Sequence, residues 1–155
     1  MKREPRIWLT LAGGLAGLVL GSGVPRAAGA DRATSEITVY KSPSCGCCSK
    51  WVDHLRAAGY TVVAHDTSDP SGVQRSHGVP PKLGSCHTAT VGRYVIEGHV
   101  PADLIGKLLR EGPAVAGLAV PGMVVGSPGM EGAGAQHYDV VAWDRQGRTS
   151  VYARR

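Results

Sequence analysis

The sequence predicts a single α/β domain in the order βαβ followed by ββα, extended at its C-terminus by a Gly/Pro-rich loop and a β-hairpin. Three observations carry this. Runs rich in β-branched and aromatic residues, such as Ile37-Thr38-Val39-Tyr40, alternate with stretches of helical apolar spacing, such as Trp51, Val52, Leu55 and Ala58. Gly and Pro separate these runs at Gly59, Pro80-Pro81, Gly92 and Gly112-Pro113. A length of 155 residues, 43% hydrophobic and 19% charged, suits one globular core.

Asp31 to Glu36 is a polar lead-in, and Ile37 to Tyr40 is the first strand, ended by the turn Lys41-Ser42-Pro43-Ser44. A helix runs from Cys47 to Ala58, with Ser44 as its expected N-cap and Gly59 as its stop. Tyr60 to Ala64 is the second strand; a right-handed crossover makes it parallel to the first. Asp66 to Leu83 holds a short helix from Asp69-Pro70 to His77, then a loop through Pro80-Pro81. His87 to Val91 and Arg93 to Glu97 form a tight antiparallel hairpin about Gly92. Pro101 opens a helix with Asp103 in its first turn and Leu104, Ile105, Leu108 and Leu109 on one stripe, and Gly112-Pro113 stops it. From Gly112 to Gly134, ten of 23 residues are Gly or Pro, which predicts a long surface loop with no regular element. Tyr138 to Trp143 and Arg148 to Tyr152 form a closing hairpin around a turn ending in Gly147.

The charge balance misleads until the charges are located. Lys and Arg number 17 against 12 acidic residues, a formal charge of +5. Lys2, Arg3 and Arg6 precede an apolar stretch from Ile7 to Leu20 and the small-residue site Ala28-Gly29-Ala30, the layout of a secretory signal peptide. The expected organisation is a cleaved signal peptide at 1–30, a lead-in at 31–36 and the domain at 37–155. Cleavage after Ala30 leaves 13 basic and 11 acidic residues, a charge of +2. A retained anchor is the alternative, since Ile7 to Val24 spans 18 residues, but its five glycines and Pro25 favour cleavage. The expected location is therefore periplasmic or otherwise exported, without membrane attachment. No basic, aromatic-interleaved stripe marks a nucleic-acid partner, and no phosphate-binding glycine pattern is present.

Cys45, Cys47, Cys48 and Cys86 carry the chemistry. Two structural disulfides are one reading, each pairing tying Cys86 to the 45/47/48 cluster. The bridge within the cluster then closes only a tiny loop, an inefficient staple. Cys45-Gly46-Cys47-Cys48 contains both C-x-x-C and C-x-C where a strand feeds a helix. The positive end of that helix favours thiolates. Such thiolates serve either a redox pair, with Cys45 attacking and Cys48 resolving, or a soft ion such as Cu(I). A redox pair leaves the third thiol unexplained, which tilts the balance toward metal. Zn(II) held by the four cysteines, or by three and one histidine, is a further alternative that ligand type allows.

The βαβ-then-ββα order resembles a thioredoxin-like fold, in which the loop before the third strand packs against the C-x-x-C. Ser85-Cys86-His87-Thr88 occupies that place here, so Cys86 would face the other three thiols. The run Ser44-Cys45-Gly46-Cys47-Cys48, the segment Ser85-Cys86-His87-Thr88, Tyr94-Val95-Ile96-Glu97-Gly98-His99-Val100-Pro101, and Gly117 to Met123 with Gly126 to Glu131 resemble a bacterial family of exported metal-binding proteins similar to the periplasmic copper-resistance protein CopG. The resemblance covers about residues 36–153. It implies a thioredoxin-like domain holding Cu(I), including as a small multinuclear cluster, through Cys45, Cys47, Cys48 and Cys86. It also implies copper tolerance or copper handling, with copper ions and other periplasmic copper-handling proteins as partners.

Weaker candidates surround this set. His87 adjoins Cys86 but, as the next residue along a strand, would point to the opposite face. Met123 and Met130 offer thioethers from the Gly/Pro-rich loop, though methionine also serves as a gap filler. His99, just before a helix, reads as a hydrogen-bonded structural histidine, and His54, His65 and His77 read as solvated surface residues. Trp51 reads as core.

Overall fold

A computed structural model describes residues 35–155. The segment read as a signal peptide, and most of the lead-in, lie outside the described residues. Among those described, no helix is long and apolar enough to cross a membrane.

The βαβ unit forms as its patterning requires. Strand β1 (Glu36–Lys41) feeds helix α1 (Gly46–Ala57), which returns to β2 (Thr61–Asp66), parallel to β1. Helix α2 (Pro70–Ser76) starts at Asp69, whose carboxylate accepts the Gly72 N–H, and a 3-10 turn at Pro81–Leu83 follows. Strands β3 (His87–Val91) and β4 (Tyr94–Glu97) then pair antiparallel. Helix α3 (Ala102–Glu111) ends at Gly112 in the left-handed conformation, φ 59°.

The expectation of a structureless loop from Gly112 to Gly134 is overturned at its start. Gly117–Ala119 is strand β5, fully buried and parallel to β4, so α3 is the crossover of a second βαβ unit. Glycine here serves packing rather than flexibility. A Cβ on Gly117 would collide with the Val95 carbonyl oxygen and the Trp143 ring. Strands β6 (Asp139–Trp143) and β7 (Thr149–Arg154) close the hairpin, with a register irregularity at Val140/Val141.

The result is one mixed seven-stranded sheet in the order β2-β1-β3-β4-β5-β6-β7. On one face Trp51, Leu55, Ile105 and Leu108 from α1 and α3 pack against Ile37, Val39, Ala89 and Ile96. Burying each of these large side chains contributes roughly 1.5–3 kcal/mol. On the other face a smaller cluster joins Val79, Leu83, Ala119 and Trp143. Strand alternation assigns the faces: His87, Ala89 and Val91 point with the α1 side, Thr88 and Glu97 with the α2 side.

Candidate metal centre

The end of β1 delivers the cysteine run onto the first turn of α1. The N-cap is Cys45 rather than Ser44: its Sγ accepts the Cys48 N–H at 3.3 Å, while the Ser44 hydroxyl meets that of Ser42 at 3.1 Å. A sulfur at this position sits at the positive end of the helix, where a thiolate is stabilised. Across from it, the segment entering β3 brings in Cys86. The sulfurs of Cys45, Cys47, Cys48 and Cys86 all lie within 4.8 Å of one another.

Cys45 and Cys48 are joined as a disulfide, whereas Cys47 and Cys86 are free thiols, both half-buried. This differs from two structural bridges, since Cys86 forms no disulfide. The Cys47 sulfur lies 3.5 Å from that of Cys45. Burial pushes the Cys86 thiol up to about 11, with the neighbouring Cys47 adding to the rise and the Ser85 hydroxyl opposing it.

The structure adds two histidines to Cys86. His87 Nδ1 and His99 Nε2 each stand 3.4 Å from its sulfur, and the three residues form a second group of converging ligand atoms. His87 reaches the Cys86 sulfur despite the strand's alternation because Cys86 precedes the strand and does not follow its pleat. His87 packs against the Trp51 ring at 4.4 Å, and its Nε2 is buried without a hydrogen-bond partner. Burial, reinforced by His99, pushes its imidazole down to about 3, so it is neutral. His99 is hydrogen-bonded, as expected, and it also faces the Cys86 sulfur. Its Nδ1 lies 2.8 Å from the Pro128 carbonyl oxygen, which can only accept. The proton therefore sits on Nδ1, and Nε2 turns a lone pair toward Cys86.

The Gly/Pro-rich loop closes over α1. Gly129 lies so near the helix that a Cβ there would stand 2.8 Å from the Cys47 carbonyl oxygen, and Glu131 accepts the Gly129 N–H at 2.7 Å. Met130 is half-buried in this strap, whereas Met123 is 53% exposed. His54 is not a surface residue: it is half-buried, burial lowers its pKa, and its Nε2 accepts the Ala102 N–H at 3.1 Å at the start of α3. Trp51 is core, its indole N–H donating to the Val100 carbonyl at 2.9 Å.

Behind the cysteines lies Glu97, fully buried, with burial raising its carboxyl to about 7 against hydrogen bonds from Thr88, Ser85 and Gln74 that lower it. A carboxyl whose folded pKa exceeds its ordinary value of 4.5 binds more protons in the folded state. Its contribution is full below about pH 4.5 and is lost as pH rises through about 7. Denaturation of the metal-free Glu97→Gln variant should show this loss abolished, the variant gaining up to about 3 kcal/mol on wild type between pH 4.5 and 8. Parallel stability curves for the two proteins would contradict it.

Residues 83–130 match the family model described as "Protein of unknown function, DUF411". No curated protein matches the chain. A solved structure described as "Copper resistance protein copG- Form 2" is 46% identical, with 78% of this chain and 98% of that one covered and a TM-score of 0.74. Its counterpart "Form 1" is also 46% identical, covering 77% and 96% at a TM-score of 0.73. With nearly the whole of those chains aligned at that identity, and the cysteine cluster assembled, this chain belongs to the CopG family of copper resistance proteins.

Proposed function

We propose that the chain binds Cu(I) as cargo in the periplasm and contributes to copper tolerance or handling, with residues 1–30 as its export signal. The ligands are Cys45, Cys47, Cys48 and Cys86, and His87 and His99 extend the donor set from Cys86. The observation that carries this reading is the convergence of four sulfurs within 4.8 Å, a soft donor set suited to Cu(I). A thioredoxin-like scaffold is supported by the order β2-β1-β3-β4, with β1 and β2 parallel and the β1–β3 and β3–β4 pairs antiparallel. Loading of all four thiolates requires the Cys45–Cys48 bond to be reduced first: two electrons and two protons from a dithiol release two thiols, and metal binding then releases their protons.

A second reading, a thiol-disulfide or copper-linked oxidoreductase, is favoured by the Cys45–Cys48 bridge itself. Cys45, half-buried at the helix end, would attack and the buried Cys48 would resolve. Cys47→Ser separates the two. The thiolate site predicts Cu(I) affinity weakened on the order of tenfold or more in chelator competition, since even outer partners of a metal contribute that much. A two-cysteine redox mechanism predicts retained disulfide reductase activity. Unchanged copper affinity in this variant would remove Cys47 from the ligand set, and tight Zn(II) binding with no Cu(I) retention would favour the zinc alternative.

A further inference from the structure

We propose that Glu97 and Gln74 are positioning residues for Cys86, clamping the segment that carries it so that its sulfur faces the other three; the inference rests on the copper-binding reading above. Glu97 Oε1 accepts the Ser85 backbone N–H at 2.5 Å and the Gln74 Nε2–H at 2.9 Å, and Oε2 accepts the Thr88 hydroxyl at 2.8 Å. Gln74, on α2, also donates to the Ser85 carbonyl oxygen at 2.6 Å. Both backbone polar groups of Ser85 are thus held by side chains from two different elements.

The consequence is local. Ser85 and Thr88 are both anchored to one carboxylate, and Cys86 and His87 are the two residues strung between the anchors. Glu97 sits on the α2 face of the sheet, opposite Thr88 in the β3–β4 register and away from His87, so it acts through the backbone and not as a ligand. Among the described residues no lysine or arginine forms an ion pair with it. A buried carboxylate without a cation is costly and persists only where hydrogen bonds satisfy it. Here the donors satisfying it come from the segment carrying Cys86 and from the glutamine that grips that segment from the other side. The next turn is closed as well: a Cβ on Gly98 would stand 2.9 Å from Ser85 Oγ and 2.8 Å from the Val120 carbonyl oxygen.

The test compares Gln74→Ala, Glu97→Ala and Glu97→Gln with Val140→Ala, a core truncation three strands away from β3. Each reduced, metal-free protein is alkylated with iodoacetamide, and the Cys86 to Cys47 modification ratio is read by peptide mass spectrometry. Each is then titrated with Cu(I) against a chromophoric chelator. Gln74→Ala and Glu97→Ala should raise the alkylation ratio and weaken Cu(I) binding about 10–100-fold, the usual effect of removing a partner that orients a ligand. Glu97→Gln, which retains an acceptor for Ser85, should restore both. Val140→Ala should lower the melting midpoint and move neither readout. If Gln74→Ala matches wild type in both, or Val140→Ala shifts both equally, the clamp is overturned. Should wild type fail to retain Cu(I), the copper reading falls, and the alkylation ratio alone decides the clamp.

Discussion

Cys86→Ser should weaken Cu(I) retention more than any other single substitution, on the order of 100-fold in chelator competition. Cys86 is the one sulfur supplied from outside the 45–48 run, and it belongs to both groups of converging ligand atoms. Its replacement therefore removes a sulfur from the four-sulfur set and separates that set from His87 and His99. A serine hydroxyl is a hard, neutral donor that does not compensate for a thiolate toward Cu(I). The fold should survive, because Cys86 forms no disulfide and a hydroxyl fits where a thiol did. A variant that folds like wild type yet keeps its Cu(I) affinity within a factor of about two would show that Cys86 is not a ligand.

Gly117→Ala should be the most destabilising single-methyl change in the chain, at about 3 kcal/mol or more by chemical denaturation. Its Cβ would run into the Val95 carbonyl oxygen of β4 and, on the same side, the Trp143 ring, whose Cζ2 would stand 2.7 Å away. A backbone oxygen in the middle of a ladder cannot step aside as a flexible side chain can, so β4 and β5 must separate or the indole must leave its pocket. Trp143 is 1% exposed and packs with Val79, Leu83 and Ala119, which makes the second route costly. A loss under about 1 kcal/mol would mean that β5 does not sit where the sheet places it.

Most of the architecture was legible because it rests on periodicity. The helical spacing of Trp51, Val52 and Leu55, the Asp69-Pro70 start and the Gly92 turn all became the elements they predicted. β5 was not legible, because a three-residue strand of Gly, Leu and Ala has no β-branched signal, and its glycine is present for close packing that only the assembled sheet creates. The Cys45 cap was missed for a related reason: serine is the stronger capping residue, but here the cap falls one residue later, at Cys45, and the sulfur takes the role.

The candidate site was half legible. The cysteine run announced soft-ligand chemistry by itself, and the placement of Cys86 came from the resemblance to a fold rather than from spacing. The approach of His99 to Cys86 was not drawn from the sequence, yet the hairpin contained the signal. Pairing of β3 with β4 sets Thr88 opposite Glu97, so the residues just before β3 and just after β4 meet at one sheet end. Nothing in the sequence announced that the Pro128 carbonyl would fix its tautomer, since that contact spans 29 residues.

The most direct measurement is the copper content of the reduced protein. The purified chain is treated with a dithiol under anaerobic conditions, loaded with Cu(I), passed over a competing chelator and analysed for metal per chain. Cu(I) should be retained, at more than one ion per chain if the sulfurs bridge a cluster, and prior alkylation of the thiols should abolish retention. Complete loss of Cu(I) to the chelator from a folded, fully reduced protein would contradict it.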